Sequence, residues 1–106
     1  MKDIYNKLVR DKIPEIIAGK GDIPKTKVLG DEEYYQALNQ KLKEEVAEYF
    51  ENCDIEELAD IVEVILAIVK YRGVSEGDFE GMRLKKYNER GGFDERICLV
   101  DVERKG

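Results

Sequence analysis

The sequence predicts an all-α fold, an antiparallel helical bundle. Two long segments, residues 31–52 and 55–72, carry apolar residues at the i, i+3, i+4, i+7 spacing that places them on one helix face. Only a short polar break separates the two segments, so the helices are expected to fold back on each other. The length of 106 residues is typical of one domain, and we expect residues 1–106 to form a single domain.

A shorter helix is expected near the N-terminus. Asp11 can serve as its N-cap, Pro14 suits a first helical turn, and Gly19 is a natural stop. Residues 20–30 then have the composition of a loop, within which residues 25–29 can be extended.

The first long helix should run from Asp31 to Asn52. Asp54 is a good N-cap for the second, which Gly73 should end. The apolar face of the first helix consists of Tyr35, Leu38, Leu42, Val46, Tyr49 and Phe50.

The last helix should begin after Ser75, another candidate N-cap, and end at the pair Gly91-Gly92. Residues 96–102 alternate in the manner of a short strand. We therefore expect a short two-stranded β ribbon between residues 25–29 and 96–102.

Composition excludes several classes of function. A net charge of -6 argues against a protein that binds a nucleic-acid polymer. The sequence contains no apolar run long enough for a membrane span, and its two cysteines are far apart, which predicts a cytoplasmic protein with reduced thiols. The absence of histidine removes Ser-His and Cys-His catalysis and His-ligated zinc. Any chemistry must come from carboxylates, lysines, arginines or tyrosines and the metal they hold.

Carboxylates occur on the packing side of both long helices. At about 100° per residue, Glu45 falls about 20° from Leu38 on the apolar face, with Glu48 at its border. On the second helix, Glu57 and Asp60 are flanked by apolar neighbours. In an antiparallel hairpin the two i, i+3 pairs should meet at matching depth.

A cluster of this kind either raises the pKa values of its own carboxyl groups or binds cations. Oxygen ligands without histidine or thiolate suit Mg²⁺, with Mn²⁺ as a substitute. Two alternatives remain open at this point. Glu57 can be a capping-box residue of the second helix, and Glu44 and Glu45 can form an acidic face paired with Lys41 and Lys43. The second pair at matched depth favours the metal site.

The same motifs carry a family resemblance. "EEVAE" followed by "ELAD" resembles the E-E-x-x-E…E-x-x-D signature of the all-α nucleoside triphosphate pyrophosphohydrolase superfamily, the MazG-like and phosphoribosyl-ATP pyrophosphohydrolase-like proteins. "YNKLVRDKIPEII" and "ERGGFDERI" are similar to a small stand-alone branch of that superfamily, described as house-cleaning enzymes. The likeness covers nearly the whole chain, but the gap between the two acidic motifs is shorter than in many members.

The resemblance implies Mg²⁺-dependent hydrolysis of a nucleoside triphosphate between its α- and β-phosphates, giving a monophosphate and pyrophosphate. It implies Glu45, Glu48, Glu57 and Asp60 as metal ligands, with Glu44 or Glu48 as the catalytic base. It also implies a helical bundle whose protomers associate as homodimers or dimers of dimers.

Basic residues should bind the phosphates of the nucleotide. Lys85, Lys86 and Arg90 cluster at the end of the last helix, where the resemblance places phosphate contacts, although cations there also complement the helix dipole. Lys12 and Arg10 are further candidates, and "RDK" reads equally well as a salt-bridged surface turn.

Two other functions compete with this one. A non-enzymatic helical interaction module would use its acids to dock a basic partner, but docking charges should lie on the polar side of the helices. The phosphoribosyl-ATP pyrophosphohydrolase of histidine biosynthesis is a nearer rival, and the additional N- and C-terminal segments favour the stand-alone branch. The second long helix is apolar over more than half of its circumference, which independently suggests a homo-oligomer.

Overall fold

The computed structural model describes all 106 residues and contains four α-helices and no strand. The chain forms two compact units, Met1–Val74 with the first three helices and Ser75–Gly106 with the fourth. None of the helices combines the length and the hydropathy needed to cross a membrane. The all-α class is confirmed, whereas the single domain stays a prediction. The helices are α1 (Ile13–Gly19), α2 (Asp31–Asn52), α3 (Ile55–Tyr71) and α4 (Glu76–Arg90).

In the first unit, α2 and α3 pack against each other as a helical hairpin. Two residues, Cys53 and Asp54, reverse the chain between them. Cys53 adopts the left-handed conformation, with φ 55°, and its N–H donates to the carbonyl of Tyr49 at 2.6 Å. At the other end of the hairpin, the ring of Tyr35 stacks on the ring of Tyr71 with 5.1 Å between their centroids. The start of α2 therefore lies beside the end of α3, and the two helices are antiparallel.

The buried part of this hairpin is small. Leu38 is the buried apolar residue, at 2% exposure, and Glu45 is the buried charged residue, at 8%. Seven residues separate them, nearly two helical turns, so both lie on the same face of α2. Other apolar side chains of the hairpin, including Phe50, Ile55 and Val62, remain exposed. The hairpin alone therefore leaves much of its apolar surface in water.

The boundaries of the long helices agree closely with the sequence pattern. α2 begins and ends at the predicted residues, and α3 ends at Tyr71, one residue before the predicted end. Ser75 caps α4, because its hydroxyl accepts a hydrogen bond of 3.1 Å from the backbone N–H of Asp78. Gly91 follows α4 with φ 80°, a conformation that glycine adopts without steric cost.

The start of α1 differs from the prediction. Its N-cap is Lys12, not Asp11, and no side chain caps the helix. Pro14 lies in the first turn as expected, where the N–H that proline lacks would have no intrahelical partner.

The β ribbon predicted between residues 25–29 and 96–102 is not formed. Neither segment is a strand, and the apolar side chains Ile97, Leu99 and Val100 are exposed. An alternating sequence favours extended backbone, but a strand also needs a neighbour whose N–H and C=O groups complete the ladder.

Leu38→Ala should lower the free energy of unfolding by about 2–4 kcal/mol, because it removes buried apolar atoms and leaves a cavity between α2 and α3. Urea unfolding followed by far-UV circular dichroism measures the change. The matched control is Ile23→Ala, at a residue 96% exposed, which should cost less than about 0.5 kcal/mol. Equal effects of the two substitutions would contradict the placement of Leu38 in the core.

Candidate metal centre

Three carboxylates meet where α2 packs against α3. One oxygen from each of Glu45, Glu57 and Asp60 lies within 4.8 Å of the other two. Glu45 comes from α2, while Glu57 and Asp60 are about one turn apart near the start of α3. The structure thus brings together three of the four residues that the sequence assigns to a metal site. These three residues are called the carboxylate group below.

Glu48, the fourth predicted ligand, is exposed and lies outside the carboxylate group. It follows Glu45 by three residues and is therefore rotated about 60° around α2. The sequence pattern places Glu48 at the border of the apolar face, and in the structure its side chain is exposed and does not meet Glu57 and Asp60 as the expectation of two matched pairs required. Its negative charge adds to the burial that raises the pKa of Glu45. Its roles as a ligand and as a catalytic base stay predictions.

Two cations of the chain contact the carboxylate group. The Lys41 ammonium lies 3.4 Å from Glu45 Oε1 and 3.8 Å from Oε2 of the half-buried Glu44. The Arg10 guanidinium donates a hydrogen bond of 2.7 Å to Asp60 Oδ1. Three ionised carboxylates and two cations leave a formal charge of -1 on this set of residues. The cations of the chain therefore do not fully neutralise the group.

Glu57 is the member of the group that has no cation beside it. Its Oε1 accepts a long hydrogen bond, 3.4 Å, from the side-chain amide of Asn52. Its Oε2 is buried and has no hydrogen-bond partner. A buried carboxylate oxygen without a partner costs free energy, because it has lost its water and gained nothing in exchange.

The capping-box alternative for Glu57 is not realised. In a capping box the N-cap side chain would accept a hydrogen bond from the first turn, and the glutamate would bond back to the N-cap backbone. Asp54 is the N-cap of α3, but its side chain makes no cap hydrogen bond. The Glu57 carboxylate bonds Asn52 through one oxygen, and its other oxygen is unpaired. Helix capping therefore does not explain the position of this side chain.

Burial raises the pKa of Glu45 above its usual value. Loss of solvent is the largest cause, and the negative charge of Glu48 adds to it. Lys41 acts in the opposite direction through its charge and its hydrogen bond, and Asp60 adds a smaller repulsion. Because the pKa rises overall, burial and repulsion outweigh the Lys41 ion pair. The ionised form of Glu45 is therefore unfavourable in the folded protein, and a bound cation would stabilise it.

The residues of the group fit a hard divalent cation. Carboxylate oxygens are the ligands that Mg²⁺ and Mn²⁺ prefer, and the group contains neither thiolate nor imidazole. The unpaired Glu57 oxygen supplies an independent reason for a cation at this place.

The predicted phosphate-binding residues lie in both units. Lys12 is exposed at the N-cap of α1. Lys85, Lys86 and Arg90 are exposed on α4, which belongs to the second unit. Arg90 lies in the last turn of α4, where it also complements the helix dipole. Binding of phosphate by these four residues stays a prediction.

Sequence motifs alone do not identify Arg10 and Lys41 as neighbours of the carboxylate group. Lys41 precedes Glu45 by four residues, which is the spacing of an ion pair on one helix. From the sequence, this ion pair is an alternative to a metal site. The structure contains both the ion pair and the carboxylate group. Arg10 is 50 residues from Asp60 along the chain, and no local pattern signals such a contact.

Glu45→Gln should stabilise the metal-free protein at pH 7 by up to about 1 kcal/mol, because the amide removes a charge that burial disfavours. The pKa of Glu45 in the folded protein lies above its ordinary value of 4.5. Its favourable contribution to folding is therefore present below pH 4.5 and is lost as the pH rises through the folded-state pKa. The advantage of the variant should consequently be larger at pH 7 than at pH 4.5.

Thermal unfolding in the presence of EDTA across this pH range measures the difference. Glu63→Gln, at an exposed glutamate of α3, is the matched control and should show no comparable dependence on pH. A Glu45→Gln protein less stable than the wild type at pH 7 would mean that the Lys41 ion pair outweighs burial.

Similarity to known proteins is confined to part of the chain. No family model matches it, and no solved structure matches it at a significant level. A curated relative from Mycolicibacterium smegmatis, described as an uncharacterized protein, is 56% identical over 41 residues. The match covers 39% of this chain and 42% of the relative, so the chain spans less than half the length of that protein. Its description assigns no activity.

Proposed function

We propose that the protein hydrolyses a nucleoside triphosphate, or a related nucleotide, between the α- and β-phosphates, as a Mg²⁺-dependent pyrophosphohydrolase of nucleotide-pool house-cleaning. The observation that carries the proposal is the carboxylate group, in which Glu45, Glu57 and Asp60 converge and one Glu57 oxygen is buried without a partner. The resemblance of "EEVAE" and "ELAD" to the E-E-x-x-E…E-x-x-D signature links this group to nucleotide hydrolysis. Cytoplasmic location is part of the same proposal.

The residues of the chain have separate roles in this reaction. The carboxylate group would hold the cation, which supplies charge neutralisation at the phosphate oxygens and lowers the pKa of the attacking water. Glu44, which precedes Glu45 directly, and Glu48, which follows it by three residues, are the carboxylates of this motif that can accept the proton of the water. Glu44 is half-buried beside Lys41, whereas Glu48 is exposed. Proton transfer therefore has two candidate acceptors on α2.

Phosphate binding would rest on basic side chains. Lys12, Lys85, Lys86 and Arg90 are exposed, so their charges are available to a ligand. The net charge of -6 is compatible with a small nucleotide whose charge is partly neutralised by a cation. It does not favour a nucleic-acid polymer as the partner.

We also propose that the protein acts as a homo-oligomer, a dimer or a dimer of dimers. Ile55, Leu58 and Val62 recur at the spacing of one face of α3 and are 79%, 38% and 52% exposed. These three residues are called the α3 stripe. Phe50, 73% exposed, precedes the turn of the hairpin and adds to the uncovered apolar area. A second copy of the chain would remove this surface from water.

Glu57→Gln should weaken the binding of Mn²⁺ by about tenfold or more, because it replaces a charged ligand of the carboxylate group with a neutral amide. Isothermal titration calorimetry with Mn²⁺ measures the affinity, and circular dichroism verifies the fold. Glu56→Gln is the matched control, since it removes the same charge from an exposed neighbouring position of α3. Unchanged Mn²⁺ affinity in Glu57→Gln would refute its assignment as a ligand.

The same preparations test the activity. Wild-type protein with Mg²⁺ and a panel of canonical and modified nucleoside triphosphates should release pyrophosphate from at least one, and Glu57→Gln should release much less. Folded wild-type protein that turns over nothing in a broad panel would favour the interaction module.

Val62→Lys should shift the protein toward the monomer, because it places a charge in the α3 stripe that a second copy would have to bury. Size-exclusion chromatography with light scattering measures the molar mass. Glu63→Lys introduces the same side chain at the next, exposed position and should leave the oligomer unchanged. A wild-type protein that is monomeric at all concentrations would contradict the proposed assembly.

A further inference from the structure

The contact between Arg10 and Asp60 joins the N-terminal segment to the carboxylate group. Arg10 lies three residues before the first residue of α1, and its carbonyl accepts a hydrogen bond of 3.0 Å from the N–H of Ile13. This bond ties the backbone of Arg10 to the start of α1. The guanidinium then reaches Asp60 Oδ1 at 2.7 Å. A cation of the chain therefore occupies an oxygen of one of the three proposed ligands.

The Arg10–Asp60 ion pair is well formed but accessible to solvent. The side chain of Arg10 is 55% exposed and that of Asp60 is 40% exposed. Exposed ion pairs contribute little to stability, because water competes for both partners. Lys41 differs in this respect, since its side chain is only 18% exposed beside Glu45. Of the two cations at the group, Arg10 is the one that can leave at small cost.

A divalent cation changes the electrostatic balance at this point. The carboxylate group with Arg10 and Lys41 has a formal charge of -1, which a divalent cation would convert to +1. The guanidinium and the incoming cation would then repel each other and compete for the Asp60 carboxylate. The planar guanidinium has several N–H donors in a fork that matches a phosphate group and can bind it through two hydrogen bonds.

We propose that Arg10 exchanges partners: it holds Asp60 in the metal-free protein and transfers to a phosphate group of the bound ligand once a divalent cation occupies the carboxylate group. This inference rests on the proposed function, because it assumes that the group binds a divalent cation and that the ligand carries a polyphosphate. It assigns to the segment before α1 a direct part in phosphate binding, separate from the residues of α4. Arg10 is thus both a competitor of the metal and a receptor for the anion.

The metal arm of the test uses Mn²⁺ alone. Arg10→Gln should raise the affinity for Mn²⁺ by about threefold, because it removes a cation that competes for Asp60. Arg10→Lys keeps the positive charge and should stay closer to the wild type. Lys7→Gln is the matched charge control, since Lys7 is an exposed cation of the same segment that lies over the ring of Tyr5. It should not change the affinity measurably.

The anion arm uses inorganic pyrophosphate, titrated as its magnesium complex into protein saturated with Mg²⁺. Arg10→Gln should weaken this binding by about tenfold, because the charged hydrogen bonds to the phosphate are lost. Arg10→Lys should recover only part of the affinity, since an ammonium cannot form the two parallel bonds of the fork. Higher metal affinity together with lower anion affinity in Arg10→Gln supports the exchange.

The remaining outcomes overturn the proposal in distinguishable ways. Wild-type protein that binds no divalent cation refutes the proposed function and the exchange together. Wild-type binding of Mn²⁺ with both affinities unchanged in Arg10→Gln refutes the exchange alone and leaves an ordinary ion pair. Lower Mn²⁺ affinity in Arg10→Gln would refute competition with the metal and would make Arg10 a positioning residue for Asp60. Unchanged pyrophosphate affinity in the same variant would refute the transfer of Arg10 to the phosphate. Circular dichroism checks that each variant is folded. If Arg10→Gln does not fold, Arg10→Lys answers the same questions.

Discussion

The antiparallel packing of α2 on α3 is the interaction on which the candidate site depends. Its turn contains only Cys53 and Asp54, and this short connection places the last turns of α2 directly beside the first turns of α3. Glu45 then lies opposite Glu57 and Asp60, and the three side chains converge. The Tyr35–Tyr71 stack closes the other end of the hairpin and fixes the same relative position of the helices. A longer turn would relax the register that brings the carboxylates together.

Bringing three carboxylates together is electrostatically unfavourable, and the cations of the chain neutralise them only in part. Lys41 and Arg10 each pair with one carboxylate, while Glu57 has an unpaired buried oxygen and the pKa of Glu45 is raised by burial. An arrangement that served stability alone would avoid this, because a buried polar atom without a hydrogen-bond partner costs free energy. A cation would remove this cost. The same two observations therefore explain both the strain of the metal-free group and its suitability for a metal.

The apolar surface of the hairpin follows from the same small core. Leu38 is buried, but the α3 stripe and Phe50 are exposed, so one hairpin cannot cover its own apolar residues. Buried apolar area is the main source of folding free energy, and a chain of this size can bury only a modest amount. Association through α3 would supply the missing area. Assembly and site formation would then both depend on the hairpin.

The sequence by itself determined what depends on neighbours along the chain. Helical periodicity located α2 and its face with Leu38 and Glu45, and a hydroxyl at position 75 marked the start of α4. The helical-wheel angle of Glu48, in contrast, places it at the border of the apolar face of α2, and in the structure its side chain is exposed. The alternation over residues 96–102 did not produce a strand, because a strand needs a distant partner. Only the tertiary structure decided these two outcomes and the Arg10–Asp60 contact, since each depends on which distant groups approach and how much water they exclude.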